Sequence, residues 1–330
     1  MKETTVAAAR AARRALLASL SARSFSLVTR LLGVGALLLL GGCNLALFNP
    51  KGDIGSQEKH LILIALGLML LVVIPVIALT LFFFWRYRAS NPKATYAPTW
   101  AHSTRIEVVV WTIPCVIVAF LACLIWGTTH SLDPYRPIAS GIAPVRVEVV
   151  ALNWKWLFIY PDYGVASVNE LVMPVDTPID FKLTADSIMN SFFIPRLGSQ
   201  IYTMAGMQTQ LHLIADTRGT YQGLSSAYSG AGFSDMHFSA EVTTRAEFDR
   251  WIKQARSSPL TLSEGVYQEL AKPSTKNAAA VYAGVDPMLF DNVVNQYMRP
   301  PGAIGMAVRA SGNIPMAPMT MQHTHAKAPE

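Results

Sequence analysis

Two long apolar runs limit what this chain can fold into. Leu61 to Trp85 is uncharged, with Thr80 its one polar interruption, and Val108 to Gly127 is likewise free of charge. At a rise of about 1.5 Å per residue they reach roughly 37 Å and 30 Å, each enough to cross a bilayer. Pro75 and Pro114 lie inside them, where proline is tolerated in membrane helices and can kink them. The two runs read as a transmembrane hairpin, about 61–85 and 108–127. The segment between them, "RYRASNPKATYAPTWAHSTRIE", carries Arg86, Arg88, Lys93 and Arg105 against Glu107. The outer flanks are close to neutral. The positive-inside rule then puts this loop in the cytoplasm and both remaining parts of the chain on the far side.

The start of the chain reads as an export signal. Lys2, Arg10, Arg13, Arg14, Arg23 and Arg30 precede "LLGVGALLLL", and "GGCN" follows. That apolar run is too short to span a membrane. The small residues before Cys43 resemble a bacterial lipobox, which implies a signal peptide over residues 1–42 and acylation of Cys43. The alternative is a free cysteine in an uncleaved anchor. The basic N-terminus also explains the formal net charge of +6. Beyond residue 30, 21 basic residues face 20 acidic ones, so no nucleic-acid-binding stripe is expected.

From Val145 the pattern changes to period two. "VRVEVVALNWKWLFIYP" is β-branched and aromatic. It is followed by "SVNELVMPV", "TPIDFKLTAD", "NSFFIPRL", "QTQLHLIAD", "GTYQGLSS" and "MHFSAEVT". Seven or so short strands over residues 145–244 predict an all-β sandwich or Greek-key barrel. Helical periodicity returns after Thr244, which is spaced from Glu247 as a capping box requires. Shorter helices are expected at Ser263–Ala271 and Asp286–Met298, making residues 245–299 a C-terminal helical extension. Residues 300–330, rich in Pro, Gly, Ala and Met, read as a disordered tail. The chain has three cysteines: Cys43, and Cys115 and Cys123 in the second apolar run. The exported domain therefore has neither disulfides nor thiolate ligands.

A two-helix hairpin followed by an exported sandwich resembles subunit II of the haem–copper respiratory oxidases. "LNWKWLFIYPDY" (Leu152–Tyr163) resembles the tryptophan-rich start of that domain, "NSFFIPRLGSQIYTMAGM" (Asn190–Met207) the segment with the first copper ligand, and "GLSSAYSGAGFSDMH" (Gly223–His237) the loop with the others. The resemblance implies a cupredoxin-like fold. Copper-bearing members need an upstream histidine and C-x3-C-x3-H-x2-M, because two thiolates bridging two coppers make a soft ligand set. Here the upstream position is Asn190. The spaced positions are Ser225, Ser229 and Phe233, the carbonyl-ligand position is Ala227, and only Met236 is retained. These are vestigial copper-site positions, and no metal site is expected in this chain. His212 and His237 read as solvated or hydrogen-bonded strand residues.

Without that copper, cytochrome c has no entry point, which is the condition of the quinol oxidases. The chain is most similar to their bo-type ubiquinol branch. The resemblance implies a non-catalytic subunit II of a complex that oxidises ubiquinol, reduces oxygen to water and translocates protons. Haems, the remaining copper and the quinol site are expected in subunit I, so this chain carries no cofactor. The implied partners are subunit I, the other oxidase subunits and membrane lipid, with no cytochrome c and no nucleic acid. The implied location is a bacterial inner membrane, with the C-terminal domain in the periplasm. Trp154 and Trp156 are expected to pack between the sandwich and a partner subunit. Glu107 has two readings: an interfacial carboxylate paired with Arg105, or, as the resemblance implies, the mouth of a proton channel into subunit I. The tail's Met316, Met319, Met321, His323 and His325 are expected to be solvated. The rival function is a membrane-tethered cupredoxin acting as an electron carrier or copper-binding lipoprotein, which needs a ligand set that the sequence lacks.

Overall fold

The computed structural model describes residues 45–95 and 97–297. Cys43, the signal region and the Met/His tail lie outside the described residues. Ala46–Phe48 forms a single 3₁₀ turn in the segment ahead of Pro50.

The two apolar runs lie within helices α1 (Asp53–Arg86) and α2 (Thr104–Ser131). Both are long and apolar enough to cross a membrane. Their apolar side chains point outward on every side: Phe84 is 81% exposed and Trp126 73%. So large a contiguous apolar surface is not stable against water and calls for lipid or a partner protein. Two hydroxyls inside the helices are satisfied locally. Thr80 Oγ1 donates to Val76 O at 2.7 Å and Thr128 Oγ1 to Leu124 O at 2.9 Å.

The start of α1 is locked into the domain that follows. Lys51 N donates to Arg196 O at 2.6 Å, Gly55 N to Leu197 O at 3.0 Å, and Asp216 N to Lys51 O at 2.8 Å. The approach is too close for side chains. A Cβ on Gly52 would lie 2.4 Å from Ile214 O, and one on Gly198 (φ +144°) 2.7 Å from Ile54 Cγ2.

Among the described residues the domain is a sandwich of two sheets. Strands β1 (Val145–Leu152), β2 (Lys155–Tyr160), β3 (Val165–Val168), β5 (Ile179–Ala185), β8 (Thr209–Leu213) and β11 (Ala280–Ala283) form one sheet, in the order β11-β3-β2-β1-β5-β8. Strands β4 (Glu170–Pro174), β6 (Asn190–Ile194), β7 (Gly198–Thr203), β9 (Gly219–Ser225) and β10 (His237–Thr243) form the other, in the order β4-β10-β9-β6-β7. The pairs β1/β5 and β4/β10 are parallel and the rest antiparallel.

The structure has more strands than the sequence pattern predicts, for a definite reason. The first run breaks into β1 and β2 at Trp154 (φ +63°), and the second breaks between β3 and β4 at Asn169 (φ +57°). Neither break uses glycine or proline, the strongest punctuation in a sequence, and at Asn169 the chain passes from one sheet to the other. The reversal at Trp154 also corrects the expectation for Trp156. Its ring is fully buried between the sheets, edge-on to Phe192 at 5.4 Å and Phe238 at 5.7 Å, and so cannot face a partner subunit. Each such aromatic contributes roughly 1.5–3 kcal/mol through burial.

Helix α3 (Arg245–Arg256) begins with the expected capping box. Glu247 N donates to Thr244 Oγ1 at 3.2 Å, and Thr244 N donates to Glu247 Oε2 at 2.9 Å. Its Phe248, Ile252 and Ala255 extend the core between the sheets. Helices α4 (Glu264–Ala271) and α5 (Leu289–Asn295) cover part of the outer face of the six-stranded sheet, and β11 extends that sheet at its edge. Tyr267, Tyr282, Leu289 and Phe290 pack there on Val150, Leu157 and Ile159. The extension therefore contributes a strand as well as helices.

Candidate functional site

The end of β9 and the loop joining it to β10 carry most of the positions singled out in the sequence, and β6 carries the other. The structure gathers Asn190, Ser225, Ala227, Ser229 and Met236 at one end of the sandwich. Asn190 is the first residue of β6 and Ser225 the last of β9, strands that pair in the same sheet. Ser225 Oγ donates to Asn190 Oδ1 at 3.1 Å, accepts from Ser191 N at 3.3 Å, and lies 3.1 Å from Ala227 O. Asn190 Nδ2 donates to Ile188 O at 3.0 Å. Ser229 Oγ donates to Met236 Sδ at 3.9 Å. All but Ala227 are buried. Phe233 does not join them: it lies on a 3₁₀ turn, with its ring 5.5 Å from that of the exposed Tyr228.

Hydrogen bonding thus holds these side chains where a ligand set would place metal–ligand bonds. A carboxamide, two neutral hydroxyls and one thioether do not fit a pair of copper ions, which requires soft anionic bridges. The thioether lone pair already accepts from Ser229. Among the described residues no group of three or more His, Cys, Asp and Glu is placed to hold a metal. His212 pairs across β5 and β8, with Nδ1 2.7 Å from Asp180 Oδ1, and His237 is exposed at the start of β10.

Trp154 supports the loop from below. Its Nε1–H donates to Ser229 O at 2.9 Å, and a Cβ on Gly232 would lie 2.4 Å from its ring. A tryptophan at φ +63° is a rare conformation, and such a left-handed residue costs about 1–2 kcal/mol. That cost is borne where the ring fixes the loop.

Lys155, the next residue, turns the other way. Its buried ammonium donates to Leu270 O at 2.7 Å, Lys272 O at 2.9 Å and Ser274 Oγ. It thereby satisfies carbonyls left open at the end of α4. Burial pushes its pKa below the ordinary lysine value.

Glu107 lies in the first turn of α2, at the other end of the apolar helices from the sandwich. Its partner is not Arg105. Residues two apart face different sides of a helix, whereas His102, ahead of the N-cap residue Ser103, folds back onto the carboxylate. His102 Nδ1 is 2.7 Å from Glu107 Oε1, and Thr104 Oγ1 is 3.4 Å from His102 Nε2. Nothing in the sequence pattern marks His102, because a spacing of five belongs to no helical face.

Two family profiles match the chain: the periplasmic domain of cytochrome c oxidase subunit II over residues 162–243, and the cytochrome oxidase aromatic-rich motif over residues 256–301. Subunit 2 of the cytochrome bo(3) ubiquinol oxidase of Pseudomonas aeruginosa is 52% identical over 276 residues, covering 84% of this chain and 83% of that protein. Ubiquinol oxidase subunit 2 of Acetobacter aceti is 52% identical over 272 residues, covering 82% and 88%. The chain belongs to the ubiquinol oxidase subunit 2 family. The periplasmic domain of subunit II of the cytochrome oxidase of Bradyrhizobium japonicum matches with a TM-score of 0.33 and 24% identity, covering 34% of this chain and 93% of that one.

Membership gives the remaining elements their place. The periplasmic-domain match contains Asn190 and the whole β9–β10 loop. The aromatic-rich motif is the segment of α4, β11 and α5, whose Tyr267, Tyr282 and Phe290 cover the outer sheet. Tyr267 Oη also donates to Asp186 Oδ1 at 2.7 Å, and burial raises its pKa far above the ordinary phenol value.

Proposed function

We infer that this chain is subunit II of a ubiquinol oxidase complex, non-catalytic itself, within an assembly that oxidises ubiquinol, reduces oxygen to water and translocates protons. The observation that carries this reading is the β9–β10 loop, where the positions that resemble copper-ligand positions in sequence are closed by the hydrogen bonds of Asn190, Ser225 and Ser229. Electrons then have no copper relay in this domain. Quinol delivers them within the membrane, to haems and copper held by subunit I. Cytochrome c has no role. The hairpin crosses the inner membrane twice, the sandwich stands in the periplasm, and acyl chains on Cys43 add an anchor ahead of the first helix in the sequence. Glu107 stands on the cytoplasmic side, where a carboxylate can pass protons into subunit I.

Metal analysis and EPR of the purified complex test the copper reading. We expect no mixed-valence binuclear signal, even after incubation with copper. Such a signal would restore the electron-carrier reading that the loop chemistry disfavours.

A further inference from the structure

We propose that the hollow between the sandwich and the adjoining ends of α1 and α2 binds the headgroup of a phosphatidylethanolamine, with its phosphate toward Arg136 and its ammonium toward Asp53, Asp133 and His212. The proposal rests on the reading of the hairpin as membrane-spanning and names a ligand for the end of it nearest the sandwich.

The hollow has a volume of about 380 Å³ and is lined by Asp53, Gln57, Asp133, Arg136, Ser199 and His212, among others. That is the size of a small-ligand pocket. His212 is the residue that points to a ligand. Its side chain is only 9% exposed, and its Nδ1 is 2.7 Å from Asp180 Oδ1 on the neighbouring strand β5. Asp180 lies outside the hollow, so the ring bridges from Asp180 to it, and Nε2 points past the edge strand β8 into it. Among the described residues Nε2 is buried without a hydrogen-bond partner, a costly state for a polar atom. A second hollow shares Leu132, Pro134 and Ser199 with the first and continues between the helices to Leu61, where the apolar run begins. Gln57 and Ser131 lie four residues outside the apolar runs. That is about 6 Å along each helix, within the roughly 5–8 Å of headgroup layer on each side of a hydrocarbon core.

The chemistry of the lining selects the headgroup. A carboxylate at Nδ1 keeps the ring hydrogen there, so the neutral imidazole offers Nε2 as an acceptor. Two carboxylates, Asp53 and Asp133, line the same hollow against one guanidinium, Arg136. Asp53 Oδ2 accepts from Gln57 Nε2 at 2.8 Å and Asp133 Oδ1 from Tyr135 N at 2.9 Å, and a carboxylate has room for further donors. Negative charge is in surplus around Asp53: burial raises the pKa of Asp216, and the nearby Asp53 and Asp176 raise it further. A primary ammonium brings three N–H donors to such a set of acceptors. A guanidinium pairs with phosphate through parallel N–H···O bonds. Phosphatidylethanolamine carries both groups on one short headgroup. Phosphatidylglycerol has the phosphate without the cation, and phosphatidylcholine has the cation without an N–H.

The test uses the whole oxidase complex, stripped of exchangeable lipid in detergent and supplied with phosphatidylethanolamine, phosphatidylcholine or phosphatidylglycerol at rising concentration. Native mass spectrometry counts the lipids bound. We expect the wild type to hold one phosphatidylethanolamine more than Arg136→Gln or Asp133→Asn does. It should bind that lipid about tenfold tighter than phosphatidylcholine, the effect of losing a charged hydrogen bond. Arg136→Gln should weaken both lipids. Asp133→Asn keeps an acceptor for Tyr135 N and should weaken phosphatidylethanolamine alone, with His212→Phe as a second variant at the ammonium end if it assembles poorly. Equal phosphatidylethanolamine counts in wild type and variants overturn the proposal, and a neighbouring subunit then fills the hollow. Phosphatidylcholine or phosphatidylglycerol bound at this site as tightly as phosphatidylethanolamine also overturns it. The hairpin reading survives both results. Recovery of the wild-type chain in the soluble fraction removes that reading and the proposal together.

Discussion

Glu107 sits in the first turn of α2 with an imidazole, not a guanidinium, against it. A structural ion pair at such an exposed position contributes about 0–1 kcal/mol. Glu107→Gln should therefore leave the haem content of the purified complex unchanged while lowering turnover per haem well below wild type. Glu107→Asp should recover part of it through a shorter acid. Equal turnover in the Gln variant would leave only a structural role. At this scale the sequence showed which residue types occupy the copper-loop positions, because identity at a fixed spacing needs no coordinates. It did not show that Ser225 bridges Asn190 and Ala227, nor that Lys155 serves carbonyls at Leu270 and Lys272, since those partners lie far along the chain.

At the scale of elements, the capping box on α3 offers a direct measurement. Thr244→Ala removes the acceptor for Glu247 N and should destabilise the chain by about 1 kcal/mol. Thermal or denaturant unfolding of the purified complex checks this against Arg250→Ala, which changes an exposed side chain on the same helix and should cost less. This helix was legible because caps are local. The apolar helices were legible because length and absence of charge suffice. The strands were legible by period, but their ends were not. Trp154 turns a hairpin and Asn169 carries the chain between sheets, both at positive φ without glycine, and β11 is four residues long. Strand β7, at the edge of its sheet, alternates too weakly to stand out from the segment that contains it.

At the scale of the whole molecule, anchoring is proposed to be redundant. Cys43→Ser should abolish acyl labelling of the subunit while the complex remains in the membrane fraction, because two helices exceed the hold of acyl chains. Labelling that persists in the variant would show the modification to be elsewhere. The family was legible at this scale from the order of the motifs behind the hairpin. The seating of α1 against the sandwich was not, because it depends on Gly52, Gly55 and Gly198 meeting backbone or side chain across the fold.

That seating has a geometric consequence. Because Lys51 and Gly55 are bonded to the backbone at Arg196 and Leu197, the rotational phase of α1 is indexed to the azimuth of the sandwich. Adding or deleting one residue between Gly55 and Leu61 would turn the rest of the helix by about 100° and shift it by about 1.5 Å. Every side chain of α1 beyond that point would then face a new direction, while the sandwich kept its heading. The periplasmic domain and the membrane face are thus set as two hands on one dial, and neither can be re-aimed without the other.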